Sequence, residues 1–395
     1  MFGNPIAARY GMTILPWVWT YLYKEGKGGK DQTKARGTCN GLPQFFNANN
    51  LGKTFAACLE QPTHRLTWAI SAALGLICKG YDIGNAFAEA PADSYDFYMK
   101  PDEQFREWWT ECLKRPPLGP NDVIPIKHAL QGHPSSPRLW DKYITKMLVK
   151  EMGFRTCTHE PCLYYKFDEN NDITIVIRQV DDFLVCNKDA SECDRLGDLI
   201  RSKMTFPLNM LGVVRKFNGV DVDQTRYFNK VHCATYIDKI IEHHGWQNEI
   251  TRRNPTPMRA DNKYQTLLQT TVGPEDPKEQ LALQKRFKFN YRQAIGELIY
   301  AHTICRIDIS IAVITLSQFS LRPAEIHYQA VKDVFKYLNS TRDYGLVYWR
   351  EEPRMDLPVA PEPTPISPTA DLAKYDEHWN AKLLTGSCDS TWASD

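Results

Sequence analysis

The sequence has no apolar run approaching the ~18 residues that a membrane-spanning helix needs, and no basic-then-apolar leader opens it. Its 11 cysteines are odd in number and have no regular spacing, which argues against a disulfide framework. No internal repeat is visible. Together these absences predict a soluble intracellular protein with no membrane partner.

An excess of one charge sign is also lacking, because the net charge of the 395 residues is only +1. The balance hides an asymmetry. Residues 351–395 carry nine Asp or Glu against three Lys or Arg, a net of −6, which leaves +7 on residues 1–350. That excess permits a polyanionic partner without proving one. The length predicts two or three domains.

A hairpin at Ile173–Cys186 is the most informative stretch that the chain does have. β-branched residues rise from Ile173 towards Asp181 and Asp182, and an apolar strand follows. We place the two aspartates at the tip, where their mutual repulsion would be offset by a divalent cation such as Mg²⁺. The alternative is an exposed Asp-Asp turn, because Asp is common in turns.

A third carboxylate is predicted at Asp82, near the end of a short strand over 78–83. A helix is predicted just before it, over residues 62–78, with Pro62 in its first turn. The predicted core face of that helix comprises Leu66, Ile70, Ala73, Leu74 and Ile77. This order of elements brings a carboxylate to a strand that could neighbour the hairpin.

Basic residues are concentrated between Lys24 and Arg36, after a predicted strand over residues 10–23. Lysine and arginine in such a loop suit contact with phosphates, because they neutralise backbone charge without reading sequence. The alternative is a solvated loop. A second group, Cys157, His159 and Cys162, lacks a fourth ligand of matching spacing, so we interpret it as core and loop residues rather than a zinc site.

The remaining pattern predicts mainly helices. A loop at Gln131–Pro137 leads to a helix that buries Trp140, Tyr143, Ile144, Met147 and Leu148. Further helices are predicted over 193–204, 234–244, 281–304 and 323–338, with a strand over 216–223 and a loop-rich stretch over 250–280. A basic-aromatic face at Lys285, Arg286, Phe287, Lys288, Phe289 and Arg292 could hold a nucleic-acid backbone, or could be an ordinary helix surface.

The order of these pieces resembles the reverse transcriptase of copia-type LTR retrotransposons, over about residues 10–350. The matching motifs are Lys34-Ala35-Arg36, Thr54-Phe55-Ala56, Tyr81-Asp82 through Ala86-Phe87, LQGHPSSPRLW at Leu130–Trp140, Val180-Asp181-Asp182, Leu211-Gly212 with Phe217-Asn218-Gly219, YRQAIGELIY at Tyr291–Tyr300, CRIDI at Cys305–Ile309 and His327–Tyr348. The resemblance implies an α+β right-hand polymerase, with an antiparallel palm sheet carrying three aspartates and a helical thumb-like region after it.

The resemblance also implies the roles of the site residues. Asp82, Asp181 and Asp182 would hold two Mg²⁺ ions, for which Mn²⁺ could substitute, and the carbonyl of Ile83 would join them. Three sets of residues would form the nucleotide pocket: Phe87 as a steric gate against ribose, Arg36 on the triphosphate, and Gln131 with Gly132 along the lining. For Phe87 the alternative is a core aromatic. The implied partners are a primed RNA or DNA template and dNTPs.

Some positions depart from the family pattern. Gln179 replaces the usual tyrosine before Val-Asp-Asp, Asn40 stands where Lys or Arg is common, and Pro134 stands where Lys is usual. The last residues resemble only the first strand of a ribonuclease H domain, with Asp389 at its first metal-binding carboxylate. We therefore expect polymerase activity without hybrid-specific RNA cleavage.

The expected domains are fingers and palm at 1–225, a thumb-like or connection-like helical region at 226–350, a proline-rich linker at 351–378 and the truncated ribonuclease H start at 379–395. Two rival functions stay open: a metal-assisted phosphodiesterase, and a decayed or domesticated element that binds nucleic acid without polymerising. The resemblance implies a cytoplasmic location, with virus-like particles and the nucleus as alternatives. It leaves the oligomeric state open.

Overall fold

The computed structural model describes residues 2–24, 32–42, 44, 54–92, 97–250 and 254–350. Its strands are β1 (Ile6–Ala7), β2 (Thr13–Lys24), β3 (Gln32–Cys39), β4 (Ile77–Ile83), β5 (Phe97–Lys100), β6 (Asp122–Pro125), β7 (Arg155–Thr156), β8 (Leu163–Phe167), β9 (Ile173–Gln179), β10 (Asp182–Asn187), β11 (Leu208–Val213), β12 (Lys216–Phe217), β13 (Val220–Gln224), β14 (Phe228–His232) and β15 (Gly345–Trp349). Its α-helices are α1 (Gln61–Ala73), α2 (Glu103–Glu111), α3 (Ser136–Lys146), α4 (Ala190–Lys203), α5 (Ala234–His243), α6 (Asn262–Thr270), α7 (Pro277–Phe287), α8 (Tyr291–Ile304), α9 (Ser310–Ser317) and α10 (Glu325–Ser340).

The fold is mixed α+β, as the sequence predicts, and it divides into two compact units. Within the described residues, the first comprises those of 2–59, 80–187 and 191–212, and the second comprises those of 60–79, 188–190 and 213–350. The assignment of fingers, palm and thumb stays a prediction. The predicted linker at 351–378, the strand with Asp389 at 379–395, and most of the basic loop between Lys24 and Arg36 lie outside the described residues.

Two sheets organise the first unit. One has the strand order β1-β6-β5-β2-β3, and the other has the order β11-β4-β10-β9-β8-β7. β4 and β10 are therefore neighbours, which brings together the strands of the predicted aspartates. β9 and β10 pair antiparallel with Gln179 opposite Asp182, so that only Val180 and Asp181 remain in the turn. A shared apolar core, which includes Trp140 and Phe183, packs beneath this sheet.

The second unit is built on a four-stranded sheet with the order β12-β13-β14-β15. The single strand predicted over 216–223 is wrong, because β12 and β13 form a hairpin with Phe217 opposite Val220. Asn218 and Gly219 make its turn with φ of 49° and 78°. Asn-Gly is the pair that a type I′ hairpin turn favours, so the sequence did contain the signal.

The predicted core face of α1 is also wrong. The helix ends at Ala73, because Gly75 adopts a φ of +66°, and Ile77 belongs to β4. Leu66 is exposed, and the buried face is instead His64, Thr67, Trp68, Ser71 and Ala72. The polar members of that face are hydrogen-bonded along the helix: Trp68 donates to His64 at 2.9 Å, and Ser71 donates to the carbonyl of Thr67 at 2.7 Å. Apolar periodicity cannot find a core face that is largely polar.

The helix predicted over 281–304 is two helices, α7 and α8. Lys288 has a φ of 62° and ends α7, while the side chain of Asn290 accepts from the Gln293 amide and caps α8. The predicted basic-aromatic face is thereby broken up. Arg286 is paired with Glu325 at 2.7 Å, and Phe289 is buried.

The other helices predicted after residue 190 lie close to their predicted positions. The helices predicted over 193–204, 234–244 and 323–338 are α4, α5 and α10, each shifted by only a few residues. The stretch over 250–280 is not purely loop, because it contains α6 and the start of α7. No helix within the described ranges is long and apolar enough to cross a membrane.

Candidate active site

The turn of the β9–β10 hairpin carries the first two candidate residues. Val180 and Asp181 form it, and Asp182 is the first residue of β10, so the predicted Asp181-Asp182 tip is shifted back by one residue. Val180 has a φ of 56°, which is a genuine outlier for a β-branched side chain. Such a conformation costs on the order of 1–3 kcal/mol and persists only where the surroundings impose it.

Asp82 lies beside this turn, on the neighbouring strand. The amide of Ile83 donates to the carbonyl oxygen of Asp181 at 3.1 Å, so the end of β4 is bonded directly to the turn. The side chain of Asp82 accepts a hydrogen bond from Nδ2 of Asn209 in β11, at 3.0 Å. Sequence reasoning missed Asn209, because no local pattern shows that β11 pairs with β4.

The charges of Asp82 and Asp181 act on the carboxylate of Asp182. Burial, followed by the negative charges of Asp181 and Asp82, raises the pKa of Asp182 to about 6. Carboxylate oxygens are hard ligands, and a divalent cation would relieve this repulsion, so the donor chemistry fits Mg²⁺. Within the described residues, however, no three acidic, histidine or cysteine side chains are arranged so that they could hold a metal ion.

A cavity of about 320 Å³ opens next to the turn. It is lined by residues from four segments: Ala35, Arg36 and Gly37 of β3; Asn85, Ala86 and Phe87; Gln131; and Val180 with Asp181. Four predicted site residues, Arg36, Phe87, Gln131 and Asp181, therefore face one space. Asp82, Ile83, Gly132 and Asp182 are not part of that described lining.

Gly132 lies outside the lining, but it explains how the loop over 130–133 reaches β3. Its φ is +94°, and a Cβ there would lie only 2.0 Å from the carbonyl oxygen of Cys39. The amide of Cys39 donates to the carbonyl of Gln131 at 3.0 Å. Only glycine permits this approach, which brings Gln131 to the cavity.

Phe87 stands in a short 3₁₀ turn, Ala86–Glu89, that follows β4. The turn is entered through Asn85, whose φ of 57° lies in the left-handed region that asparagine tolerates. The ring of Phe87 is half-buried: it packs against the core of the first unit and also lines the cavity. One side of the ring therefore belongs to the core and the other faces the cavity, and the gate role stays a prediction.

Helix α3 is hydrogen-bonded to the turn and to the part of β9 that leads into it. Nε1 of Trp140 donates to the carbonyl oxygen of Val180 at 2.7 Å. The next residue, Asp141, accepts a hydrogen bond from the buried guanidinium of Arg178. Sequence reasoning interpreted Trp140 only as a core residue, because a buried indole at helical spacing gives no hint of its hydrogen-bond partner.

Two further predictions concern Gln179 of β9 and the residues between β7 and β8. Oε1 of Gln179 accepts a hydrogen bond from the amide of Leu59 at 3.0 Å. Cys162 is buried and its sulfur accepts from Arg178 at 3.7 Å, while the exposed His159 is bonded to Thr158. Cys162 therefore belongs to the core and His159 to an exposed loop.

The proteins that this chain is similar to include reverse transcriptases and the Pol polyproteins of transposons. A family model described as "Reverse transcriptase (RNA-dependent DNA polymerase)" matches residues 8–259. The chain is 27% identical over 342 residues to the retrovirus-related Pol polyprotein from transposon TNT 1-94 of Nicotiana tabacum, covering 85% of this chain and 24% of that protein. It is 26% identical over 338 residues to the Pol polyprotein from transposon RE1 of Arabidopsis thaliana, covering 84% of this chain and 20% of that protein.

The chain thus spans about a quarter or less of the length of these relatives. Among solved structures, a foamy viral protease-reverse transcriptase in complex with double-stranded DNA is matched at 12% identity and a TM-score of 0.34, over 85% of this chain and 45% of that one.

Proposed function

Because this chain belongs to the copia-type reverse transcriptase family, we propose that it is an RNA-directed DNA polymerase. It adds deoxynucleotides to a primer 3′-hydroxyl on an RNA or DNA template. The observation that carries the proposal is the cavity of about 320 Å³, where Arg36, Phe87, Gln131 and the Val180–Asp181 turn meet. Such a cavity suits a nucleoside triphosphate that is held beside the aspartates.

The metal ligands in this proposal are the carboxylates of Asp82, Asp181 and Asp182, with the carbonyl of Ile83, and they would hold two Mg²⁺ or Mn²⁺ ions. Bound there, the ions would supply neutralisation of the triphosphate charge and a lowered pKa of the primer 3′-hydroxyl. The hydrogen bond from Ile83 to Asp181 supports the proposal, because it joins β4, which carries Asp82, to the turn that carries Asp181.

The chain's other residues bind and orient the nucleotide. Arg36 contributes a fixed positive charge to the cavity wall, where it would contact the triphosphate. Phe87 presents its ring to the same space and would exclude a ribose 2′-hydroxyl by contact. Gln131 would line the nucleotide, and Gly132 allows its loop to lie against β3.

The template and primer would be held largely through phosphates. Residues 1–350 carry a net charge of +7, and Lys or Arg contacts to a polyanion release counterions. Binding of a primed template should therefore weaken as salt rises. Binding that is flat between low and moderate salt would argue for a different partner.

Primer extension with dNTPs and Mg²⁺ on an oligo(dT)-primed poly(rA) template tests the function. The variants Asp82→Asn, Asp181→Asn and Asp182→Asn should each lose more than about 100-fold in rate, because each removes one negative charge from the metal site. The matched control is Asp198→Asn, an exposed carboxylate on α4 that pairs with Arg201. It should extend primers at the wild-type rate.

Two results would contradict the proposal. If Asp181→Asn extends primers at the wild-type rate, Asp181 does not take part in the reaction. A folded wild-type protein that binds primed template yet extends nothing would be a nucleic-acid binder without polymerase activity. Unfolding midpoints of all variants, measured in metal-free buffer, separate either result from loss of the fold.

A further inference from the structure

The Val180–Asp181 turn holds a backbone conformation that its own sequence disfavours. Among the described non-glycine residues with positive φ, Val180 is the one with a β-branched side chain. Without contacts that impose a positive φ, a valine adopts negative φ. Asp181 follows directly, so any relaxation of Val180 would change the direction in which the Asp181 side chain leaves the turn.

Hydrogen bonds hold this turn from both sides. Nε1 of Trp140 donates to the carbonyl of Val180 at 2.7 Å, and the amide of Ile83 donates to the carbonyl of Asp181 at 3.1 Å. The first bond fixes the peptide that links Val180 to Asp181, because rotating that peptide would swing the carbonyl away from the indole. The second fixes the peptide after Asp181.

The indole is itself held in place. Trp140 is 1% exposed, and its ring stacks on Tyr143 with centroids 6.0 Å apart. One residue further along α3, Asp141 accepts a hydrogen bond from Arg178, a residue of β9 that is two positions before Val180 in sequence. Helix α3 is therefore hydrogen-bonded both to residue 178 of β9 and to residue 180 of the turn, and the donor cannot follow the carbonyl if the turn relaxes.

We propose that Trp140 is a positioning residue for nucleotide addition: its indole N–H holds Val180 in the left-handed conformation and so aims Asp181 at the reaction centre. This inference rests on the proposed polymerase function. We assign Trp140 no contact with substrate or metal, because it acts through the turn.

The variant Trp140→Phe removes the N–H donor and keeps most of the ring. The extension kcat should fall about tenfold, which is the loss expected for one well-placed hydrogen bond. Affinity for primed template and the unfolding midpoint should change little. The control is Trp109→Phe, in which a buried indole also donates to a backbone carbonyl, that of Pro116 at 3.0 Å, away from the turn. It should keep wild-type kcat.

The background variant Val180→Gly distinguishes positioning from packing. Glycine adopts positive φ without strain, so the turn then depends less on the indole. Trp140→Phe should cost less than about threefold in kcat in the Val180→Gly background, compared with about tenfold in the wild-type background. Equal losses in the two backgrounds, or no loss in either, would overturn the proposal.

A second variant covers the case in which Trp140→Phe does not fold. Replacing Trp140 with 3-benzothienylalanine exchanges the N–H for sulfur at almost constant ring size, and the same kcat loss is expected. If the wild-type protein extends no primer, amide hydrogen exchange decides instead. Faster exchange confined to residues 179–183 in the Trp140 variants supports the positioning role, and exchange equal to the wild type overturns it.

Discussion

Asn209 donates a hydrogen bond from Nδ2 to Oδ2 of Asp82, at 3.0 Å. The two residues are 127 positions apart in sequence and meet because β11 pairs with β4. The bond occupies one oxygen of a proposed metal ligand and sets the plane of its carboxylate. An amide suits this task, since it donates without adding charge to a site that already holds three carboxylates.

We predict that Asn209→Ala lowers the extension rate about fivefold at saturating Mg²⁺, because Asp82 loses its orienting donor. Asn209→Asp should lower the rate further, since a fourth carboxylate cannot donate and repels Asp82. Initial rates across a Mg²⁺ titration measure both effects. Asn170→Ala and Asn170→Asp, in the exposed turn between β8 and β9, are matched controls. Wild-type rates for Asn209→Asp would refute the orienting role.

The second prediction concerns Phe87, whose ring lines the cavity. Phe87→Val and Phe87→Ala should reduce the preference for dNTPs over rNTPs, expressed as a ratio of kcat/KM values, by about 10- to 100-fold through relief of a clash with the 2′-hydroxyl. Phe167→Ala, on the exposed side of β8, controls for removal of a ring from the same unit. If the substrate preference of the Phe87 variants stays as in the wild type, Phe87 is only a core residue.

Local patterns predicted most elements of this fold but not how they pair. The hairpin at 173–186, the strand that carries Asp82 and the helix after Pro137 were all found, because apolar periodicity and turn residues lie within a few positions. The pairing of β11 with β4, and hence the bond between Asn209 and Asp82, depends on distant segments. The failures within elements have local causes instead: α1 buries polar residues such as His64, and α7 stops where Lys288 adopts positive φ.

For the candidate site too, local features could be predicted from the sequence and contacts between distant segments could not. Four of the residues predicted for the site, Arg36, Phe87, Gln131 and Asp181, line one cavity, and their roles stay predictions. The partners of the residues that we propose to position the site were not identified. Asn209 and Trp140 each donate one hydrogen bond to a segment distant in sequence, and although Trp140 ends the LQGHPSSPRLW motif, no local pattern shows which partner either residue has.

The third prediction concerns acid stability and His64. Burial, with a smaller contribution from the charge of Arg65, lowers the pKa of His64 to about 4. As pH falls below about 6.5, the unfolded chain takes up the proton first, so stability is full above that pH and decreases between about 6.5 and 4. Between pH 7 and pH 5 this residue should account for a loss of about 2 kcal/mol in the free energy of unfolding.

Urea unfolding at both pH values measures that loss. His64→Gln should remove most of it, because the glutamine oxygen can still accept from the indole of Trp68, which donates to Nε2 of His64 at 2.9 Å, but does not titrate. His159→Gln, at an exposed position, is the control. Equal pH dependence in His64→Gln and the wild type would show that other groups, such as the buried His133, dominate acid unfolding.

The last prediction concerns Gln179, which stands where the family usually has tyrosine. Its Oε1 accepts from the amide of Leu59 at 3.0 Å, and Leu59 is buried. Gln179→Tyr should therefore destabilise the protein by about 1–2 kcal/mol, because tyrosine would leave this amide without its acceptor. Gln179→Glu keeps an acceptor and should lose less stability than Gln179→Tyr. It places a negative charge opposite Asp182 in the hairpin register, so its extension rate should fall. Thermal unfolding tests the loss of stability in Gln179→Tyr, and primer extension tests the loss of rate in Gln179→Glu. A Gln179→Tyr variant as stable as the wild type would mean that the hydrogen bond to Leu59 is dispensable.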